Sequence, residues 1–188
     1  MPAKQIKIIL GVTGSIAAYK GAQIASLLTK KNYSVTTVLT ANAARLVSAQ
    51  TFSTLTGNPA ITDLFHSPSD FDPAHITVAE GASLLLIAPA TANIIGKLAC
   101  GIADDALSTT AISVTCPCVI APAMHKAMYK NKVVQGNIAK LKKLGYYFVG
   151  PAKGRLSTGE TGIGRMADPQ DIVAACEKLL AKRRGSSE

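Results

Sequence analysis

Residues 6–20 read IKIILGVTGSIAAYK. Ile6, Ile8, Ile9 and Leu10 make a near-continuous apolar run, the pattern of a strand covered on both faces. Gly11-Val12-Thr13-Gly14-Ser15 then forms a turn, and a helix is expected from about Ile16 to Lys30. A buried strand, a glycine turn and a helix, in that order, open an α/β unit.

The alternation continues outward from this stretch. Tyr33–Leu39 reads as a second strand stopped by Thr40, and Ala41–Gln50 as a helix that runs on, or restarts, through Thr51–Leu55. Residues 57–75 are rich in Pro, Asp and Ser and read as a loop. Leu84–Ala88 is a third strand, followed by helices over Thr91–Gly101 and Asp104–Val114. A strand through Cys118–Ala121, a helix over Ala127–Leu144 interrupted near Asn131, and a strand at Tyr146–Val149 come next. The last helix, Asp168–Arg183, carries Asp168 and Pro169 at its start. The expected architecture is α/β: an open, mostly parallel sheet with helices on both faces. The 188 residues fit a single domain over 1–183 with a polar tail at 184–188.

Charged residues make up only 16% of the chain and apolar ones 48%, which points to some surface buried between subunits. The formal charge of +9 raises nucleic acid as a partner. Much of that charge is local, however, in Lys126, Lys130, Lys132, Lys140, Lys142 and Lys143 and in the tail residues Lys182, Arg183 and Arg184. With no zinc-finger spacing and few aromatic residues, an anionic small ligand fits as well, and no nucleic acid is expected. Cys116-Pro-Cys118 has no second pair to complete a metal site, so no metal is expected and Cys100, Cys116, Cys118 and Cys176 read as buried free thiols. No secretory leader is visible, and the apolar run near Leu84–Ile95 is too short to span a bilayer. A cytoplasmic protein without membrane contact is expected.

Ligands in open α/β sheets bind beyond the C-terminal strand ends. Here those ends are Gly11–Ser15, Thr40, Pro89–Asn93 and Pro122–His125. Glycines permit a tight turn, and the following helix start offers unpaired N–H groups beside the Ser15 hydroxyl, together an anion site. Glycines at 11 and 14 alone make neither a dinucleotide fingerprint nor a P-loop. Thr40 stands where an acidic residue would take a ribose diol, which favours a mononucleotide over a dinucleotide. An ordinary ligand-free turn explains the glycines equally well.

Five segments carry a resemblance that spans nearly the whole chain in order. They are GVTGSIAAYK at 11–20, HITVAEGAS at 75–83, APATANIIGKLACGIADDALSTT at 88–110, APAMHKAMYKN at 121–131 and GRLSTGETGIGRMADP at 154–169. Together they resemble the flavin-containing cysteine decarboxylases, the family of phosphopantothenoylcysteine decarboxylase and the lantibiotic peptidyl-cysteine decarboxylases. The resemblance implies a Rossmann-like flavoprotein that binds FMN, assembled as a homotrimer or a dodecamer. It implies flavin contacts from Gly14, Ser15, Thr40, Asn93, Ser108 and Thr109. It implies oxidation of a cysteine Cα–Cβ–S unit, with a thioaldehyde as electron sink for loss of carbon dioxide. His75 matches the family's active-site histidine, a residue suited to carrying protons near neutrality. Without the resemblance, His75 reads as a loop histidine.

Two departures matter. The family segment Pro-x-Met-Asn, whose Asn contacts the substrate carboxylate, reads Pro122-Ala123-Met124-His125 here. A histidine could grip a carboxylate or narrow the pocket. In the flap, phosphopantothenoylcysteine decarboxylases resemble one another in an Ala-Cys-Gly segment whose cysteine helps return electrons to the product. This chain has Ser157-Thr158-Gly159 there, and a threonine is no thiol donor. The glycine-rich stretch 154–164 reads as a mobile lid, with Arg155 and Arg165 giving it positive charge.

An FMN-dependent carboxy-lyase acting on phosphopantothenoylcysteine, in coenzyme A biosynthesis, is the leading expectation. Oxidative decarboxylation of a peptide's C-terminal cysteine is the alternative, since peptide-modifying relatives stop at the enethiol. A flavin-binding regulator without turnover, or prenyl transfer to flavin, are the others.

Overall fold

The structure is a computed structural model that describes residues 5–64, 78–155 and 161–184. Five parallel strands form the central sheet: β1 (Lys7–Val12), β2 (Ser34–Leu39), β3 (Leu84–Ala90), β4 (Cys118–Pro122) and β5 (Tyr147–Phe148). Their spatial order is β2-β1-β3-β4-β5. The chain leaves β1 toward one edge and returns to build β3 on the other side, which makes the gap between the ends of β1 and β3 a topological switch point.

The first four strands are each followed by helices, and the last helix follows a hairpin beyond β5. The helices are α1 (Ala18–Lys30), α2 (Ala41–Ala44), α3 (Ala49–Thr56), α4 (Ala92–Cys100), α5 (Ala106–Ser113), α6 (Lys126–Lys130), α7 (Lys132–Lys143) and α8 (Pro169–Arg184). Alternate strand residues face opposite layers, as a pleated strand requires. Ile8, Leu10, Leu84, Leu86, Val119 and Ala121 pack with residues of α1, α3 and α8, such as Ile24, Phe52 and Cys176. Ile9, Leu85, Ile87 and Ile120 pack with residues of α4, α5 and α7, such as Ile94, Leu107 and Leu141. β3 is buried at all seven positions, so its continuous apolar run reflects two covered faces.

Three details differ from expectation. The helix expected over Ala41–Gln50, running on or restarting at Thr51, restarts earlier: α2 ends at Ala44, and Ser48 accepts a hydrogen bond from the Gln50 N–H to begin α3 at Ala49. The edges of the expected lid are ordered as a hairpin of β6 (Ala152–Arg155) and antiparallel β7 (Thr161–Arg165), while Leu156–Glu160 lie outside the described residues. Cys118 and Cys176 are buried as expected, but Cys100 is exposed and Cys116 half-buried; all four are free thiols. The interruption expected near Asn131 is there: Asn131 ends α6 and caps α7, accepting from the Val133 N–H at 2.9 Å. Among the described residues, no helix is long and apolar enough to cross a membrane.

Candidate active site at the strand ends

The switch point is fastened by Thr13, which is 1% exposed. Its hydroxyl donates to the Pro89 carbonyl at 2.8 Å and accepts from the Thr91 N–H at 3.0 Å. The Thr13 N–H also donates to the Pro89 carbonyl. One buried threonine thereby joins the β1–α1 turn to the β3–α4 turn. The next strand end is joined to β3 by the Ala123 N–H, which donates to the Ala90 carbonyl at 2.9 Å.

Above these turns lies a cavity of about 800 Å³. Its walls include Gly14, Ser15 and Lys20 from the first turn and α1, and Ala123, Met124 and His125 beyond β4. Arg165 and Met166 close it from the β7 side. Among the described residues, Lys20 and Arg165 are the charged ones that line it, and no carboxylate does. The field inside favours an anionic ligand.

The first wall depends on close backbone approach. A Cβ on Gly14 would stand 2.5 Å from the Asn42 Cβ, so the turn can lie against α2 only without a side chain at 14. The Ser15 hydroxyl accepts from the Ala17 N–H at 3.3 Å at the start of α1. Thr40 caps α2, its hydroxyl accepting from the Ala43 N–H at 3.3 Å.

The opposite wall is set by His125, the N-cap of α6. Its Nδ1 accepts from the Ala127 N–H at 3.2 Å. In the neutral ring an accepting Nδ1 leaves the proton on Nε2, so a single N–H remains to donate elsewhere. The β6–β7 hairpin docks beside it, with the Met124 N–H donating to the Gly164 carbonyl at 2.9 Å. Gly164 sits at φ 142°, and a Cβ there would fall on the Met124 carbonyl oxygen.

The site residues expected from the sequence divide into groups. Gly14, Ser15, Ala123, Met124, His125 and Arg165 line one cavity. Thr40, Asn93, Ser108 and Thr109 do not line it; Asn93 is exposed in the first turn of α4, and Ser108 and Thr109 lie on α5. Ser108 is fully buried, its hydroxyl held by the capping box of α5. Arg155 lies in β6, and His75 and Thr158 lie outside the described residues. Sequence reasoning missed Thr13, Lys20 and Thr91. Lys20 had a signal, since it falls one helical turn beyond Ile16 within the glycine-turn segment.

Comparison with known proteins agrees with this geometry. The flavoprotein family matches residues 2–181. The chain belongs to the flavoprotein family. It is 42% identical over 175 residues to the coenzyme A biosynthesis bifunctional protein CoaBC of Bacillus subtilis, covering 93% of this chain and 43% of that protein. It is 37% identical over 177 residues to CoaBC of Vibrio cholerae, covering 94% and 44%. The chain thus spans less than half the length of the curated relatives it matches. A solved cysteine-to-serine variant of PPC decarboxylase, complexed with pantothenoylaminoethenethiol, superimposes with a TM-score of 0.85 at 26% identity, over 94% of this chain and 98% of that one. The FMN-dependent cysteine decarboxylase SpaF superimposes with a TM-score of 0.81 at 32% identity, over 94% and 98%. A further solved neighbour, the FMN binding protein AtHal3, superimposes with a TM-score of 0.81 at 27% identity, over 94% and 97%.

The residues present fit FMN. Among the described residues, two side-chain hydroxyls are buried without a hydrogen-bond partner, Thr37 in β2 and Thr109 in α5. Thr37 is enclosed in mid-strand. Thr109 is near the start of α5, and that first turn lies beside the end of β1, since Leu107 fills the space a Cβ on Gly11 would take. A buried hydroxyl without a partner costs about 1–3 kcal/mol, a penalty that a phosphate oxygen would remove. The two buried thiols are poor proton donors: burial pushes Cys176 up to about 12 and Cys118 in the same direction.

Proposed function

We propose that this flavoprotein is an FMN-dependent decarboxylase of a cysteine-containing acid, with phosphopantothenoylcysteine as substrate. The observation that carries the proposal is the cavity at the β1/β3 switch point, where the charged residues among those described, Lys20 and Arg165, are both cations. It is supported by the CoaBC relatives and by the PPC decarboxylase structure.

When bound, FMN supplies a two-electron acceptor for the cysteine Cα–Cβ–S unit. Gly14, Ser15, Thr40 and Thr109 would hold its phosphate, with Ser108 fixing the turn, and Asn93 would help to form the flavin site. His75 carries the proton removed from the substrate. The Nε2–H of His125 donates to the substrate carboxylate, keeping the shed carbon dioxide's bond aligned. Arg165, with Arg155 on the neighbouring strand, supplies the positive end of the hairpin that covers the substrate beside Met124 and Ala123. Closure of such a hairpin excludes water and strengthens each of these polar contacts. Ile16, Tyr19 and Met128 leave apolar surface at the cavity, 68%, 55% and 48% exposed, which fits a homotrimer or a dodecamer in the cytoplasm.

A second substrate class is favoured by Thr158. Electrons returned to the enethiolate need an accompanying proton, and a threonine at the flap gives it up poorly. A peptide C-terminal cysteine, decarboxylated oxidatively as far as the enethiol, needs no such donor.

A single-turnover reaction of the yellow protein with phosphopantothenoylcysteine separates the two. Flavin absorbance, carbon dioxide and thiol product are followed together. Carbon dioxide with a saturated thiol and reoxidised flavin establishes the pantetheine route. Carbon dioxide with flavin left reduced assigns the oxidative route. No carbon dioxide from either substrate overturns the decarboxylase assignment.

A further inference from the structure

Between α4 and α5 stands a cluster that none of the roles above uses. Lys97, in the last turn of α4, is 17% exposed and places its ammonium 2.5 Å from Asp104 Oδ1 and 2.6 Å from Asp105 Oδ2. The other oxygen of Asp105 accepts from the Ser108 N–H at 2.8 Å, and the Ser108 hydroxyl accepts from the Asp105 N–H at 3.0 Å. The Asp105 carboxylate thus caps α5 with one oxygen and anchors to α4 with the other. The Thr109 N–H donates to the Asp105 carbonyl at 2.9 Å. The backbone carrying the unpartnered Thr109 hydroxyl therefore hangs from the residue that Lys97 grips.

We propose that Lys97 is a positioning residue for flavin binding: by holding Asp104 and Asp105 it fixes the first turn of α5, and so aims the Thr109 hydroxyl at the FMN phosphate. This rests on the assignment of Thr109 to that phosphate. The interaction is more than a surface ion pair, because burial, which alone would push the Lys97 ammonium down, is outweighed by its two carboxylates. The Lys97 ammonium also offsets the negative charge of both carboxylates beside the start of α5.

The test is titration of the full chain with FMN and, separately, with riboflavin, which lacks the phosphate, followed by quenching of flavin fluorescence. Lys97→Met keeps the aliphatic stem and removes the charge. It should weaken FMN binding about ten-fold, the scale of one charge-assisted hydrogen bond, and leave riboflavin affinity unchanged. Lys97→Arg should recover most of the loss. A general loosening of the fold would weaken both ligands alike, and that result, or unchanged FMN affinity, overturns the proposal. Thr109→Val keeps the two assignments apart. If it leaves FMN affinity intact, the phosphate assignment fails and takes the proposal with it. If it weakens FMN while Lys97→Met does not, only the role of Lys97 fails. Should Lys97→Met not fold, Asp105→Asn carries the same test, since asparagine caps a helix as well as aspartate does but cannot pair with Lys97.

Discussion

A methyl group at position 14 would have to share space with the Asn42 Cβ, 2.5 Å away. Gly14→Ala should therefore lift the first turn off α2 and weaken FMN binding by more than about ten-fold, or about 1.4 kcal/mol, with the far-ultraviolet dichroism unchanged. His125 permits a finer dissection, because one ring nitrogen caps α6 and the other is left to donate. Serine caps as well but has no reach, so His125→Ser should keep the thermal midpoint within a few degrees and raise KM for the acid. An unchanged KM would remove His125 from the substrate site. Positions such as 14, 15 and 123–125 were legible in the sequence because they sit where strands end, and strand ends can be found from apolar runs. Thr13 was not, because its partner Pro89 is 76 residues away and no local pattern announces the bond.

Two elements carry predictions of their own. The hairpin of β6 and β7 meets the 122–125 segment at Gly164, where backbone conformation and the Met124 carbonyl both exclude a side chain. Gly164→Ala should displace the hairpin, cost about 1–3 kcal/mol of stability, and lower kcat while flavin stays bound; retained kcat would mean the hairpin does not shape the site. The start of α5 titrates. Burial alone would raise the Asp105 carboxyl, but Lys97 and the Ser108 N–H hold it below the ordinary carboxylate range. Its contribution is therefore complete above about pH 4 and is lost as pH falls further. Lys97 is held above its ordinary range, so its contribution is complete below about pH 10.5 and is lost as pH rises beyond. The difference in urea midpoint between the native chain and Lys97→Met should be flat between those limits and shrink outside them. Helix periodicity showed these elements clearly, and Asp105 stands where a cap would. It did not show where 41–56 breaks, since Ser48 acts as a cap without a glycine or proline to mark it. Nor did it show that the glycines of 154–164 flank an ordered hairpin, because antiparallel pairing satisfies backbone groups whatever the side chains.

At the scale of the whole molecule, the fold class was legible and the strand order was not. Strands apolar on both faces require two helical layers, which is a local property of each run. The order β2-β1-β3-β4-β5 comes from parallel pairing between distant segments, about which the sequence of any one strand is silent. That order puts the turn after β1 next to the turn after β3, and Thr13 fastens the two together with three hydrogen bonds. Thr13→Val fills the same volume but leaves the Thr91 N–H without its acceptor. It should destabilise the chain by about 1–3 kcal/mol and weaken flavin binding with it, measured by urea unfolding and by flavin titration; wild-type values for both would show the two turns are held apart from Thr13.

The bridge at Thr13 also divides the labour of discrimination. The floor of the cavity takes its shape when the sheet forms, and every molecule that enters meets the same surface. On the proposed function, whatever tells a phosphopantothenoyl group from a peptide then resides in the opposite wall, in His125 and the hairpin behind it. That wall is where a lineage exploring new substrates has room to change, since replacements there leave the foundation untouched.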